Sequence, residues 1–246
     1  MTQPDWQPEL DEKAARMLEM AANRSFRGPR VASRMRITVV TWVIRTKLAN
    51  SLKRLLDIVV SSMAFVAASP IFLGTSIAIK LDSPGPVFFQ QTRVGKWGAT
   101  FGCYKFRSMY IDAEKRKADL AAHNEADCPI FKIRNDPRIT RVGRIIRKLS
   151  VDELPQLINV LKGEMSLVGP RPALPREVAQ YDFDQLGRLD AVPGITGLQQ
   201  VSGRSDLSFK RWVELDIQYI AEQSFLKDIE ILLKTLPAVL TGRGAY

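Results

Sequence analysis

Two adjacent carboxylates stand out within residues 148–161, KLSVDELPQLINVL, just before an apolar helical repeat. Pro155 lacks a backbone N–H, so it is tolerated in the first turn of a helix but not further in. The spacing therefore predicts a helix with Asp152 at or beside its N-cap and Glu153 directly after it. At that end the helix dipole favours the ionised form of a carboxylate.

Two interpretations of Asp152 and Glu153 follow from their residue types. Acidic side chains are favoured at any helix N-terminus, so capping alone explains the pair. Alternatively, an ionised carboxylate that lies near arginines and a divalent cation can attack phosphorus. Adjacent acids are also suited to hold Mg²⁺, which takes carboxylates together with substrate phosphates. The residues themselves leave both interpretations open.

Composition narrows the class of protein. Cys103, Cys128 and the single histidine, His123, cannot form a four-ligand zinc site and contain no CxxC pair, which fits a reducing cytosol. The net charge of +10 indicates an anionic partner, which could be nucleic acid, a lipid surface or a phosphorylated substrate.

The N-terminal part of the chain, residues 1–50, is predicted to be a basic arm that is partly disordered or amphipathic. Residues 23–56 contain no acid but include Arg24, Arg27, Arg30, Arg34, Arg36, Arg45, Lys47, Lys53 and Arg54. Such an arm suits anionic lipid headgroups, and a solvated tail is the alternative.

Residues 58–79 carry no charged side chain, and as a helix they would reach about 33 Å, enough to span a bilayer. Ser69 and Pro70 lie near the middle, where proline predicts a bend. Basic residues flank the segment on both sides, which disfavours opposite faces of a membrane. A re-entrant helix-break-helix resolves this conflict. A kinked spanning helix and a buried helix of a soluble protein remain alternatives.

The rest of the chain alternates short strands with helices. The runs VFFQQTRVG and FGCYKFRSM predict two short strands. Asp136 and Pro137 predict a helix start, so that Arg138 and the arginines at three-residue intervals after it, Arg141, Arg144 and Arg147, would form a basic stripe. Most of the stripe is expected to face solvent or headgroups, whereas Arg147 is close enough to the acid pair to share a phosphate site.

The longest motifs together resemble a known family. The runs KRLLDIVV, SPIFL, YKFRSM, RIIRKLSVDELPQLINVLKGEMSLVGPRP, PGITGLQQVSGR and TGRGAY are similar to those of the bacterial sugar transferases, the monotopic phosphoglycosyl transferases. The similarity covers residues 51–246. It implies a re-entrant helix broken at Ser69 and Pro70, and so favours re-entry over the alternatives.

The resemblance also implies a reaction. Members transfer a sugar 1-phosphate from a UDP-sugar to undecaprenyl phosphate and release UMP. By this likeness Asp152 would attack the sugar-bearing phosphate to give a phosphosugar-aspartyl enzyme, which the lipid phosphate then cleaves. Glu153 would position Mg²⁺ or the incoming phosphate, so both acids are expected metal ligands. The expected phosphate- and substrate-binding residues are Arg147, Arg171, Arg204, Lys105 and Arg107.

The expected fold is therefore an α+β monotopic membrane protein, with a re-entrant helix at residues 51–82 and a small, mostly helical cytoplasmic catalytic domain with short strands at residues 83–246. We expect it at the cytoplasmic face of a bacterial inner membrane, in contact with inner-membrane lipid. It would initiate exopolysaccharide or O-antigen synthesis with a hexose, galactose or glucose favoured. The sequence does not specify the sugar. It also leaves open the oligomeric state, of which a homodimer is one candidate.

Two rival hypotheses make different predictions. The same reaction with a UDP-N-acetylamino sugar would be revealed by a panel of donors. A membrane-tethered nucleic-acid-binding or scaffold protein would use the +10 charge as its binding surface, and its binding would survive Asp152→Asn. No nucleic-acid motif is evident in the sequence, and we expect no nucleic-acid partner.

Overall fold

A computed structural model describes residues 16, 29–117, 119, 120, 125, 129, 131, 133, 135–203 and 207–241. The chain divides into two compact units, Met1–Leu56 and Asp57–Tyr246. The predicted basic arm is described only at Arg16 and from Pro29 onward, where it is helical.

Two consecutive helices contain the long apolar segment. Helix α1 is Pro29–Ala67 and α2 is Ser69–Asp82, with Ala68 between them. Ser69 and Pro70 thus begin α2, where the missing N–H of proline costs no helical hydrogen bond. Among the described helices none is long and apolar enough to cross a membrane alone, but Ile37–Ala67 and Ser69–Asp82 satisfy that test together, with a bend of 57°.

Two small sheets support the remainder of the second unit. Strands β1 (Phe88–Val94) and β2 (Thr100–Phe106) form an antiparallel hairpin, as the two apolar runs predicted. Strands β3 (Ser166–Val168) and β4 (Gly194–Thr196) are paired in parallel. The α+β class with short strands is therefore confirmed.

Helices fill the intervals between and after these strands. They are α3 (Arg141–Lys148), α4 (Gln156–Lys162), α5 (Pro175–Val178), α6 (Phe183–Leu186), α7 (Leu198–Ser202), α8 (Phe209–Glu222) and α9 (Phe225–Thr241). Helix α3 begins later than predicted, because Thr140 rather than Asp136 caps it by accepting from the Gly143 N–H at 2.9 Å. Arg138 consequently lies outside the helix and is buried against Asp136.

Two hydrophobic clusters hold these elements together. The larger surrounds Val160, Met165, Val168, Tyr219 and Ile231. The smaller joins α2, β2 and α3 through Ile79, Phe106 and Ile146. Because α2 shares a core with the hairpin and with α3, the end of the apolar segment is packed against the elements that carry the acid pair.

Candidate active site

The acid pair lies in a 3₁₀ turn, Val151–Glu153, and α4 begins only at Gln156. The predicted position of Asp152 at the helix N-cap is therefore wrong, because Pro155 occupies the residue before α4. Ser150 separates α3 from the turn in a left-handed conformation, with φ 56°. A non-glycine residue adopts that conformation at a cost, so the surrounding contacts must hold it there.

The carboxylate of Glu153 lies close to two cationic side chains. Its Oε1 lies 2.7 Å from Lys105 Nζ and 3.9 Å from Arg171 Nη1. Burial alone would raise the pKa of Glu153, but the charges of Lys105 and Arg171 outweigh it and hold the pKa well below its usual range. Glu153 therefore stays ionised.

Asp152 has the opposite environment. It is 7% exposed, and none of the described residues donates a hydrogen bond to its carboxylate. Burial raises its pKa to about 6; Lys105 opposes the shift, and the negative charge of Glu153 adds to it. A carboxylate that no described side chain or backbone donor engages keeps its lone pairs available for attack. The structure thus gives these two adjacent carboxylates different environments.

The hairpin positions Lys105 opposite Phe89 and points it at Glu153. A fully buried asparagine on α4 fixes this arrangement. Asn159 accepts from the Tyr104 N–H at 3.0 Å and donates to the Gly102 carbonyl at 2.8 Å. Sequence reasoning missed Asn159, although an amide among the apolar residues of a short helix was a usable signal.

Arg171 lies in a loop of residues 169–173, the Arg171 loop, whose backbone is bonded at several points. The Gly169 N–H donates to the Thr196 carbonyl, and the Pro170 carbonyl accepts from the Gly194 N–H at 2.8 Å. A side chain on Gly169 would collide with the Val192 carbonyl, so glycine is required there by backbone packing. The backbone of the loop therefore places Arg171 near Glu153.

Arg93 is a further cation that sequence reasoning did not select. It is buried, donates through Nη1 to the Pro172 carbonyl at 2.9 Å, and bonds Gln91 through its other terminal nitrogen. Burial and the nearby charge of Arg171 lower its pKa to about 10. The available signal was its two-residue alternation with Phe89 and Gln91 on one strand face.

One cavity of 820 Å³ unites most of the predicted site, a size typical of ligand pockets. Its lining includes Lys105, Arg107, Arg147, Asp152, Glu153 and Arg171. Arg107 is buried and donates to the carbonyls of Ser83 and Pro84, so it also ties β2 to the end of α2. Arg204 lies outside the described residues.

The acid pair offers carboxylate oxygens to a magnesium ion. Within the described part of the chain, no group of three or more His, Cys, Asp and Glu side chains is placed to hold a metal ion. Mg²⁺ commonly uses only one or two carboxylates plus substrate phosphates and water. Lys105 occupies Glu153 Oε1, which leaves Glu153 Oε2 and both Asp152 oxygens, so the donor set fits Mg²⁺.

Comparison with known proteins agrees with the resemblance. The model of a family described as bacterial sugar transferase matches residues 48–242. The chain is 48% identical over 194 residues to the galactosyl transferase CpsE of Streptococcus agalactiae serotype III. It is 41% identical over 198 residues to the exopolysaccharide production protein ExoY of Sinorhizobium fredii. It is 46% identical over 202 residues to the undecaprenyl-phosphate galactose phosphotransferase of Salmonella typhimurium.

Coverage differs among these relatives. The matches include 78% of this chain for CpsE, and 79% for both ExoY and the Salmonella protein. They include 88% of ExoY but only 43% of CpsE and 42% of the Salmonella protein. The chain therefore spans less than half the length of two of the three.

Proposed function

Because the chain belongs to the bacterial sugar transferase family, we propose that it transfers a hexose 1-phosphate from a UDP-sugar to undecaprenyl phosphate and releases UMP. The product would initiate exopolysaccharide or O-antigen synthesis, in keeping with the name of ExoY. Galactose or glucose is favoured as the sugar, and the names of two relatives favour galactose. The family assignment favours this activity over the nucleic-acid-binding hypothesis.

The observation that carries the proposal is the buried carboxylate of Asp152, which no described donor engages, in a cavity lined by cations. A carboxylate meant only to cap or to form an ion pair would have a donor within bonding distance. Glu153 has such a partner in Lys105, whereas Asp152 has none among the described residues.

In the first half-reaction an Asp152 oxygen bonds to the phosphorus that carries the sugar. The bond from that phosphorus to the bridging oxygen breaks, and UMP leaves with the electron pair. Lys105, Arg147 and Arg171 line the same cavity as Asp152, so they would offset the repulsion between an anionic donor and an anionic nucleophile.

In the second half-reaction a phosphate oxygen of undecaprenyl phosphate attacks the same phosphorus. The bond to Asp152 breaks and the carboxylate is restored, so no proton or co-reactant is required. Two anionic substrates thus use one set of cations in turn. A single pocket that held both at once would have to neutralise their combined charge.

Mg²⁺ would be held by Asp152 and Glu153 together with substrate phosphates, and it would supply charge neutralisation at the diphosphate. Removing the metal with a chelator should therefore lower UMP release, and added Mg²⁺ should restore it.

The bent helices α1 and α2 support a re-entrant arrangement, entering and leaving a bacterial inner membrane at its cytoplasmic face. We propose this location because lipid phosphate headgroups lie there. Single cysteines at Asn50 and Gly95, labelled in intact cells after Cys103 and Cys128 are replaced, should both be protected from an impermeant reagent. Labelling of one of them from outside would rule out re-entry.

Purified protein with Mg²⁺, UDP-galactose and undecaprenyl phosphate is expected to release UMP, and Asp152→Asn should abolish release. Asp184→Asn, an exposed acid outside the cavity, is the matched control and should be fully active. Donor labelled with ³²P in the transferred phosphate should leave label on wild-type protein only. Full turnover by Asp152→Asn would refute the nucleophile. Faster turnover of UDP-N-acetylgalactosamine than of UDP-galactose or UDP-glucose would assign the alternative sugar.

A further inference from the structure

Apolar side chains form part of the exposed lining of the cavity, beside the exposed ion pair of Arg176 and Glu114. Five large hydrophobic side chains line it while remaining 48–67% exposed: Ile71, Phe88, Phe89, Ile111 and Leu149. We call this set the apolar rim. Contiguous exposed apolar surface next to a polar cleft is typical of a ligand-binding surface.

The rim connects the bent helices with the candidate active site. Ile71 belongs to α2, whereas Phe88 and Phe89 begin β1. Phe88 stacks on Phe106 at 5.2 Å, and Phe106 in turn contacts Phe72 of α2 at 5.1 Å. The rim is therefore held by aromatic packing that starts in the apolar segment.

Phe89 is the rim residue nearest to the charged groups along the hairpin. It is paired directly with Lys105 across the two strands, and directly opposed side chains on one sheet face lie in contact range. Lys105 Nζ in turn lies 2.7 Å from Glu153. An exposed phenyl ring thus adjoins the cation that faces the acid pair.

A ligand that matches both surfaces has an anionic head and an apolar tail. A UDP-sugar has no long apolar chain, so the donor does not match a set of five hydrophobic side chains that includes three aliphatic ones. We propose that the apolar rim binds the first isoprene units of the lipid phosphate acceptor and directs its phosphate to Asp152. This inference rests on the proposed function and extends it by assigning the acceptor's tail to Phe89 and its neighbours.

The test measures binding, so it needs no turnover. Full-length protein in detergent is titrated calorimetrically with farnesyl phosphate and with dimethylallyl phosphate, which share a head and differ in isoprene number. The wild type should prefer farnesyl phosphate. Phe89→Ala should reduce that preference about five- to tenfold, as expected when half a phenylalanine side chain loses its apolar contact. Phe89→Leu should restore most of it.

Phe183→Ala is the matched control, because Phe183 is 89% exposed and lies outside the cavity lining. It should keep the wild-type preference for farnesyl phosphate. Partition of farnesyl phosphate into micelles affects all the proteins equally, so comparison with this variant corrects for it. An equal preference in Phe89→Ala and wild type would overturn the proposal. Loss of vesicle binding by Phe89→Ala without a change in preference would assign the rim to bilayer acyl chains and also overturn it. Asp152→Asn should keep the preference for farnesyl phosphate, because the test measures binding of the tail. The inference therefore holds even if Asp152 is not the nucleophile.

Discussion

Lys105 and Glu153 are 48 residues apart in the chain, and their charged atoms lie 2.7 Å apart. This contact separates the roles of two adjacent carboxylates. Glu153 is neutralised by a neighbour and keeps a low pKa, whereas Asp152 is buried without a described donor. The carboxylate of Asp152 therefore lies beside the negative charge of Glu153, which Lys105 neutralises.

Replacing Lys105 should damage the site more than its surface position on a hairpin suggests. Lys105→Met would leave Glu153 without its closest cation and would raise the pKa of Asp152, whose charge Lys105 also stabilises. The expected loss in kcat/KM for UMP release is about 10- to 100-fold, the value of a charge-assisted hydrogen bond. Lys162→Met is the control, since Lys162 is exposed and contacts the hydroxyl and ring of Tyr104 away from the acid pair. Equal activities of the two variants would contradict the assignment.

Gly143 should be intolerant of even one added carbon. It lies in α3 against the Ser108 carbonyl, where a Cβ would fall inside contact distance. Gly143→Ala should therefore cost about 1 to 3 kcal/mol by overpacking. Gly74→Ala makes the same chemical change on α2, where nothing lies within 4 Å, and helix propensity predicts no loss or a gain of up to about 1 kcal/mol. Thermal unfolding of both variants in detergent should show shifts of different size. Equal shifts would refute the close packing of α3.

The Asp136–Arg138 pair should make stability depend on pH. Burial alone would raise the pKa of Asp136, but hydrogen bonds from Arg138 hold it below its ordinary value. The stabilisation is thus present above the unfolded pKa of about 4 and is lost as the pH falls through the lower folded value. Asp136→Asn should cost about 3 kcal/mol at pH 7, since it leaves Arg138 buried without a counter-charge. The difference in Tm from wild type should narrow between pH 4 and pH 3; a constant difference would contradict the pairing.

Local patterns predicted the hairpin and the bend well. Apolar runs bounded by turn residues specified β1 and β2, and the bend adjoins Ser69 and Pro70 as the proline rule requires. Both features depend on neighbours in the chain, so a single sequence contains the information.

Local rules failed where two residues compete for one role. Asp136 and Thr140 both cap helices, and the structure uses Thr140 because Arg138 engages Asp136 instead. In the same way Asp152 was predicted as an N-cap, yet the chain forms a separate 3₁₀ turn before α4. Tertiary partners decided both cases, and composition does not reveal them.

The long-range partners of the residues that shape the site could not be predicted from local patterns. Asn159 bonds the backbone of β2 from 57 residues away, and Arg93 reaches the Pro172 carbonyl from 79 residues away. Gly169 is likewise constrained from a distance, because a Cβ there would meet the backbone at residues 192 and 194.

Asp57 extends this packing to the first apolar helix. It is 4% exposed on α1 and accepts from the Leu167 N–H at 2.9 Å and from the Ser166 hydroxyl at 3.1 Å. Those residues form β3, which runs directly into the Arg171 loop. Removing the acceptor would leave a buried N–H unpaired, at a cost of about 1 to 3 kcal/mol, and would loosen the strand that positions Arg171.

Asp57→Ala should therefore lower both the Tm and the kcat/KM for the UDP-sugar, the latter about tenfold, because an arginine held less rigidly stabilises the reacting phosphate less well. Asp57→Asn keeps an acceptor oxygen and should recover most of the activity. Ser61→Ala is the matched control one turn further on the same helix face: Ser61 is fully buried, and its hydroxyl has no hydrogen-bond partner among the described residues. Its loss should leave activity unchanged and the Tm equal or higher. If Asp57→Ala and Ser61→Ala behave alike, the link from α1 to the Arg171 loop does not operate.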